Sequence, residues 1–203
     1  YFKLISTFMN YLFFRTDRIG DFLITLPIIK AIKENSVNSK VIVVTSPKNN
    51  TFVKSSTLVD EVFMLKSNTF LDKIKLFFRI RKRDYESIIV SDKKNRSIFL
   101  TLCLKAKRKI FNVSKKKQHK FLNLFFKDVF LDNDVLKDFT NRDLIKKNCS
   151  SLNIIFEEKN FNFFPIDYFK NDYKFSEFLD LEEDYILFHY DEKWELDNYI
   201  KSF

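Results

Sequence analysis

The residues best placed to do chemistry stand together in Arg15-Thr-Asp-Arg-Ile-Gly-Asp21, a run with two carboxylates, two guanidinium groups and the chain's only glycine. The run follows a β-rich segment and opens a helical pattern, which is where open α/β sheets bind ligands, outside the carboxyl ends of their strands. Gly20 at such a junction would let the backbone turn tightly and let a ligand come close to the main chain. Asp21 would lie beside the free N–H groups of the helix start. It either caps that helix, a common use of Asp, or faces a bound ligand. Lys94 and Arg96 follow another expected strand end on the same side of the sheet, and are the cations best placed to touch an anionic ligand.

These side chains need a frame, and the first half of the chain supplies one by alternating short β-rich runs with longer helical patterns. Strands are expected at Tyr11–Thr16, Lys40–Thr45, Glu61–Leu65, Ser87–Ser91 and Lys109–Val113. Helices are expected at Asp21–Asn35, Asn49–Ser55, Thr69–Arg83 and Asn95–Lys105, with another at Asp134–Leu152. Such alternation predicts parallel βαβ units in a doubly wound, Rossmann-like α/β sheet. The runs Tyr-Leu-Phe-Phe and Val-Ile-Val-Val are apolar throughout, as strands covered by helices on both faces should be. Pro27 either kinks a helix that starts at Asp21 or sits in the first turn of one that starts near Thr25. Beyond an aromatic stretch at Phe161–Phe169, a short helix at Phe175–Leu179 and an apolar run at Tyr185–Phe188 read as the start of a second αβ domain.

With 45% hydrophobic residues and 26 Phe among 203 residues, the chain can bury a substantial core. Average usage would give roughly 14 glycines in a chain of this length. A compositional drift towards Lys, Asn, Ile and Phe accounts for much of the rest, so the one glycine carries more information than any single Lys. Cys103 and Cys149 lie 46 positions apart with only His119 and His189 to join them, a pattern that points to two reduced thiols and to no bound metal. No apolar run approaches the ~20 residues of a membrane span. The first residue is Tyr1, so the chain is expected to be a fragment or a processed product.

The order of several blocks resembles glycosyltransferase family 9, the heptosyltransferase-like enzymes of lipopolysaccharide core biosynthesis. Arg-x-Asp-x-Ile-Gly-Asp is followed by Leu23-Ile-Thr-Leu-Pro-Ile-Ile-Lys-Ala-Ile-Lys33 and Lys40-Val-Ile-Val-Val-Thr-Ser-Pro47. The likeness continues through Val59–Leu65, Tyr85–Asp92, Asn95-Arg-Ser97 and Ala106–Phe111, and returns at His189–Trp194. Between Ser114 and Asp184 it is one of general pattern, and Phe111 and Tyr190 stand in neighbourhoods where such enzymes often carry Gly. The resemblance implies the N-terminal half of a two-domain GT-B glycosyltransferase: a segment 1–10, an acceptor-side domain 11–180, and the truncated start of a donor domain at 181–203. It also implies an inverting, metal-independent enzyme that moves heptose or a related sugar from a nucleotide sugar, with ADP-heptose as candidate donor, to an anionic glycolipid. Asp21 would be the general base, with Asp17, Arg18, Gly20, Lys94 and Arg96 around the acceptor. Lys193 would neutralise the departing diphosphate, or else pairs at the surface with Asp191 and Glu192. Lacking most of a donor domain, the chain on its own is expected to be inactive.

Charge adds one more feature. Twelve Lys or Arg and no Asp or Glu lie between Lys93 and Lys127, more than the net +9 of the whole chain. Such a run is either a solvated face or a surface attracted to anionic lipid or to a phosphorylated lipopolysaccharide core. With the resemblance, this suggests a cytoplasmic protein peripheral to the inner membrane of a Gram-negative bacterium. Tyr1–Phe8 is either the end of an interfacial amphipathic helix or a segment packed on the domain. The competing reading is a basic, non-catalytic membrane- or nucleic-acid-binding protein, or a degenerate family member that only docks. No helix-turn-helix, zinc-finger or RNA-recognition pattern supports nucleic-acid binding.

Overall fold

The computed structural model describes residues 9–36, 38–131, 140–157 and 168–169. Six parallel strands form one sheet: β1 (Met9–Phe14), β2 (Ser39–Thr45), β3 (Glu61–Met64), β4 (Tyr85–Val90), β5 (Ala106–Val113) and β6 (Val129–Leu131). Their order is β3-β2-β1-β4-β5-β6. The chain winds outward one way from β1, then returns to β4 on its other side and winds the other way. This is the doubly wound, Rossmann-like order, and its reversal puts the topological switch point between β1 and β4.

Among the described residues six helices connect and flank the strands: α1 (Ile19–Asn35), α2 (Asn50–Ser55), α3 (Phe70–Ile80), α4 (Asn95–Leu102), α5 (Lys116–Asn123) and α6 (Asn141–Ser151). Successive strand residues point to opposite faces, so each apolar strand feeds two cores. Leu12, Phe14, Ile42, Val44, Ile88 and Val90 face Leu76 and Ile80 of α3, Ile98 and Leu100 of α4 and Leu122 of α5. Tyr11, Phe13, Val41, Val43 and Ile89 face α1, Val53 of α2 and Ile145 and Cys149 of α6. Phe13, Phe14 and Phe22 are fully buried, and each such side chain contributes about 2–3 kcal/mol of transfer free energy.

Several expected boundaries move for physical reasons. The helix expected to run to Arg83 ends at Ile80, where the buried Tyr85 hydroxyl donates to the Ile80 carbonyl at 2.6 Å and β4 begins two residues early. The helix expected from Asp134 begins at Asn141, because Thr140 is extended and caps it: the Thr140 Oγ1 receives the Asp143 N–H and the Asp143 carboxylate receives the Thr140 N–H at 2.9 Å. Residues 134–139 lie outside the described part. Pro27 falls inside α1, which starts at Ile19, so its ring sits mid-helix and the Leu23 carbonyl lacks the N–H that another residue would give it. Phe111 is an ordinary strand residue, fully buried and paired with Val90 and Val129. Met9 and Asn10, expected in a separate opening segment, begin β1. The rest of that segment, 1–8, and the expected donor-domain start at 181–203, with the helix at 175–179, the strand at 185–188 and Lys193, lie outside the described residues.

Removing the hydroxyl that ends α3 tests this packing. Tyr85→Phe is expected to lower stability by about 1–2 kcal/mol in urea unfolding, since it leaves the Ile80 carbonyl buried without its donor. An unchanged midpoint would show that the carbonyl finds another partner.

Candidate functional site

The loops that follow β1 and β4 meet at the switch point, and one side chain joins them. Arg15, only 6% exposed, follows β1 directly. Its Nη1 donates to the Ser91 carbonyl at the end of β4 (2.6 Å) and to Asp17 Oδ2 (2.8 Å). Its Nε donates to Thr25 Oγ1 (2.7 Å) and its Nη2 to the Asp21 carbonyl, both on α1. From the β2 side, Asn49 Nδ2 donates to the Arg15 carbonyl at 2.7 Å. A short, rigid frame results, built from three consecutive strands of the sheet.

A second network sits on the β4 loop. Asp92 is buried and accepts from Thr16 Oγ1 (2.5 Å), from Ser97 Oγ (2.6 Å) and from the Lys94 N–H (3.2 Å). Lys94 Nζ then donates to the Thr16 carbonyl at 2.6 Å, and Arg96 Nη2 donates to Thr16 Oγ1 at 3.0 Å. Both cations are thereby drawn to the end of β1. Among the described residues neither forms an ion pair, and the Arg96 Nε–H is buried without an acceptor. Burial lowers the Lys94 pKa, and the Arg96 charge beside it lowers it further. Two crowded cations, partly desolvated and holding an unused N–H donor, are arranged to receive an anion.

The carboxylates face the same place. Asp21 lies in the first turn of α1, and its Oδ2 accepts the Arg18 N–H at 3.3 Å, so the capping role expected as one alternative is present. Asp17 is more unusual. One oxygen pairs with Arg15 while Oδ1 is buried with no hydrogen-bond partner. Burial pushes its pKa up to about 6, against the pull of Arg15 and with added repulsion from Asp21 and Asp92. A carboxylate that titrates there accepts a proton near neutral pH more readily than an ordinary Asp.

Gly20 is placed differently from the sequence expectation. It is the second residue of α1, has no positive φ, and nothing lies within 4 Å of where a Cβ would stand. The turn itself does not require glycine. Close approach by something outside the chain remains the use the geometry leaves open for it. The left-handed backbone that favours glycine occurs instead at Lys93 (φ 56°), in the loop between Asp92 and Lys94.

Of the residues expected at the site, Asp17, Gly20, Asp21, Lys94 and Arg96 come together at the switch point. Arg18 is the exposed N-cap residue of α1. Lys193 lies outside the described residues. Sequence reasoning gave no role to Arg15, Thr16, Asn49, Asp92 or Ser97, which carry the frame. The signal for Asp92 was a carboxylate two residues after the all-apolar Ile-Ile-Val strand end. The basic segment also divides. Lys94 and Arg96 bond to Thr16 at the end of β1, whereas Lys105, Lys107 and Arg108 pair with Asp84, Glu86 and Asp128 along β5 and its neighbours. No helix among the described residues is long and apolar enough to cross a membrane.

No family model matches the sequence, and no curated protein matches it in sequence. Solved structures do match in fold. A glycosyl transferase family 9 protein from Veillonella parvula superposes with a TM-score of 0.58 at 14% identity, over 72% of this chain and 42% of that one. The E. coli heptosyltransferase WaaC with ADP-2-deoxy-2-fluoro heptose gives a TM-score of 0.57 at 14% identity, over 74% of this chain and 50% of its own. The same enzyme with ADP gives 0.58 at 15%, over 74% and 49%. The chain therefore spans half or less of the length of the structures it resembles, and at this identity the likeness is one of fold.

The desolvated Asp17 should leave a mark on stability. Its folded pKa of about 6 lies above the 3.8 of an ordinary Asp, so the native state loses stability as pH rises through that window and the group ionises. The cost, with the pull of Arg15 already contained in that pKa, is roughly 3 kcal/mol, and the partial exposure of the group reduces it. Asp17→Asn should therefore be more stable than the parent by about 1–2 kcal/mol near pH 7.5 and lose that advantage near pH 4. Urea melts at the two pH values check this, and a difference independent of pH would show that Asp17 titrates as an ordinary carboxylate.

Proposed function

We propose that this chain is the acceptor-binding half of an inverting, metal-independent glycosyltransferase with a GT-B arrangement. The observation that carries the reading is the convergence of Lys94 and Arg96, free of carboxylate partners among the described residues, on Thr16 beside Asp17 and Asp21 at the β1–β4 switch point. The fold shared with a family 9 glycosyl transferase and with WaaC supports it. The acceptor is an anionic glycolipid of the lipopolysaccharide type, and its negative groups pair with Lys94 and Arg96. The donor is a nucleotide sugar, ADP-heptose or a close relative. Arg18 at the rim and the open space over Gly20 let the acceptor sugar lie against the start of α1.

In the reaction, the acceptor hydroxyl oxygen attacks the anomeric carbon on the face opposite the nucleotide. The bond from that carbon to the diphosphate oxygen breaks, the hydroxyl proton passes to the Asp21 carboxylate, and the nucleoside diphosphate leaves with the electron pair. Asp17, held by Arg15, stands close enough to Asp21 for the two carboxylates to repel each other. Lys193 is the candidate group for the diphosphate. The protein acts at the cytoplasmic face of the inner membrane, where such an acceptor presents its sugars.

The test uses the complete gene product that contains these residues and follows transfer of labelled sugar to a lipopolysaccharide-core acceptor. Asp21→Asn should lower kcat by about 10²–10⁴-fold with an unchanged melting curve, and near-normal turnover would remove Asp21 as the base. Gly20→Ala offers a second check. It should hold or raise stability by up to about 1 kcal/mol, because an alanine fits that helical position, yet raise KM for the acceptor. An unchanged KM would mean that nothing approaches the start of α1.

A further inference from the structure

Beside the switch point an apolar groove of about 400 Å³ runs between α3 and α4. Phe70, Ile74 and Phe77 form one wall, and Phe99 and Leu100 the other. Phe70 is 74% exposed and Phe99 66%, which is far more than packing of the domain needs. Its only charged lining groups are Lys73 and Arg96, so the groove is apolar along its length and cationic without any acid to neutralise it. Arg96 stands in the first turn of α4, and the same side chain that lines the groove donates to Thr16 at the site. Cys103, at the far end of α4, closes the other end. By helix rise, the distance from Arg96 to Cys103 is roughly 10 Å.

We infer that this groove binds a single alkyl or acyl chain of an anionic amphiphile, with the negative group at Arg96 and the chain directed towards Cys103. Several features favour such a ligand over a protein helix. A docked helix needs apolar anchors over two or more of its turns and presents its charges outward. This groove is about two turns of α4 long, with Arg96 at the end nearest the site and Lys73 on the α3 wall as a second cation. Its length, its apolar walls and its wholly positive charge match a molecule with one anionic head and one apolar tail. Because Arg96 belongs to both places, head and tail are bound by a continuous surface. The inference rests on the acceptor reading only for what the tail is attached to: an anionic glycolipid whose sugar lies at Asp21 would place its apolar part here.

Cys103 is an exposed thiol inside the groove, whereas Cys149 is buried and its thiol is pushed up to about 12, so a neutral disulfide reagent such as dithiodipyridine reports on Cys103 alone in the native chain. Dodecyl phosphate below its micelle concentration should slow that reaction by about tenfold at saturation, while inorganic phosphate alone should not. Phe99→Asp, at an exposed position, should abolish the protection, and Arg96→Ala should weaken it by about tenfold in apparent affinity. Absence of protection, or protection that persists in Phe99→Asp, would overturn the proposal. So would a thiol already shielded without amphiphile and released on dilution, which would mark a second copy as the occupant. The readout involves no sugar transfer: protection in a protein that fails the Asp21 test leaves the groove standing and the acceptor reading fallen, and the converse separates them the other way.

Discussion

Arg15 carries a full charge in a place where 6% of its surface meets solvent, directly after the central strand β1. Burying a guanidinium costs several kcal/mol unless its N–H groups and charge are met, and here four acceptors, the Asp17 carboxylate among them, surround it. The acceptors are the Ser91 carbonyl, Asp17, Thr25 and the Asp21 carbonyl. Those partners belong to the ends of β1 and β4 and to the first turns of α1. A single planar group thereby sets the spacing between two strands that, in a doubly wound sheet, diverge at this point. Lysine could supply the charge but not the fork that reaches four acceptors at once.

The electrostatics of the site follow from that placement. Asp17 is fixed with one oxygen on Arg15 and the other left bare, and its burial raises its pKa even with a guanidinium beside it. Thr16 is held by Asp92, and its two oxygens become the perch on which Lys94 and Arg96 converge. Negative and positive groups are thus separated across a few ångströms without cancelling each other. Neutral surfaces do not maintain such a separation for long, because surface charges usually swing to meet one another. Here the hydrogen-bond frame prevents it, and an outside ligand with both an anionic group and an ionisable hydroxyl could use both sides.

Much of the sheet was legible in the sequence, because parallel strands covered on both faces are continuous apolar runs between helical patterns. The five strands expected before residue 114 are all present. Strand β6 and helix α5 were not read: β6 has three residues, and Lys-Lys-Gln-His-Lys-Phe-Leu-Asn buries only Leu122, so no period stands out from its charges. The site was half legible. Asp21, Asp17, Lys94 and Arg96 could be found from their position after strands, but the groups that hold them could not, since Arg15, Thr16 and Asp92 act through contacts between residues up to 80 positions apart. Glycine misled in part. A glycine-starved chain was expected to keep its one glycine for a tight turn, yet Gly20 is helical and Lys93 takes the left-handed position.

The proposed function requires an anionic sugar to bind in the β1–β4 crevice and not on the Lys-rich surface of α5. Backbone amide shifts of the chain during titration with a phosphorylated lipopolysaccharide-core oligosaccharide test this most directly. Shifts should concentrate at Thr16–Asp21 and Asp92–Ser97 and vanish when Lys94 and Arg96 are both replaced by Ala. Shifts centred on Lys115–Lys120, or unaffected by that double replacement, would contradict it.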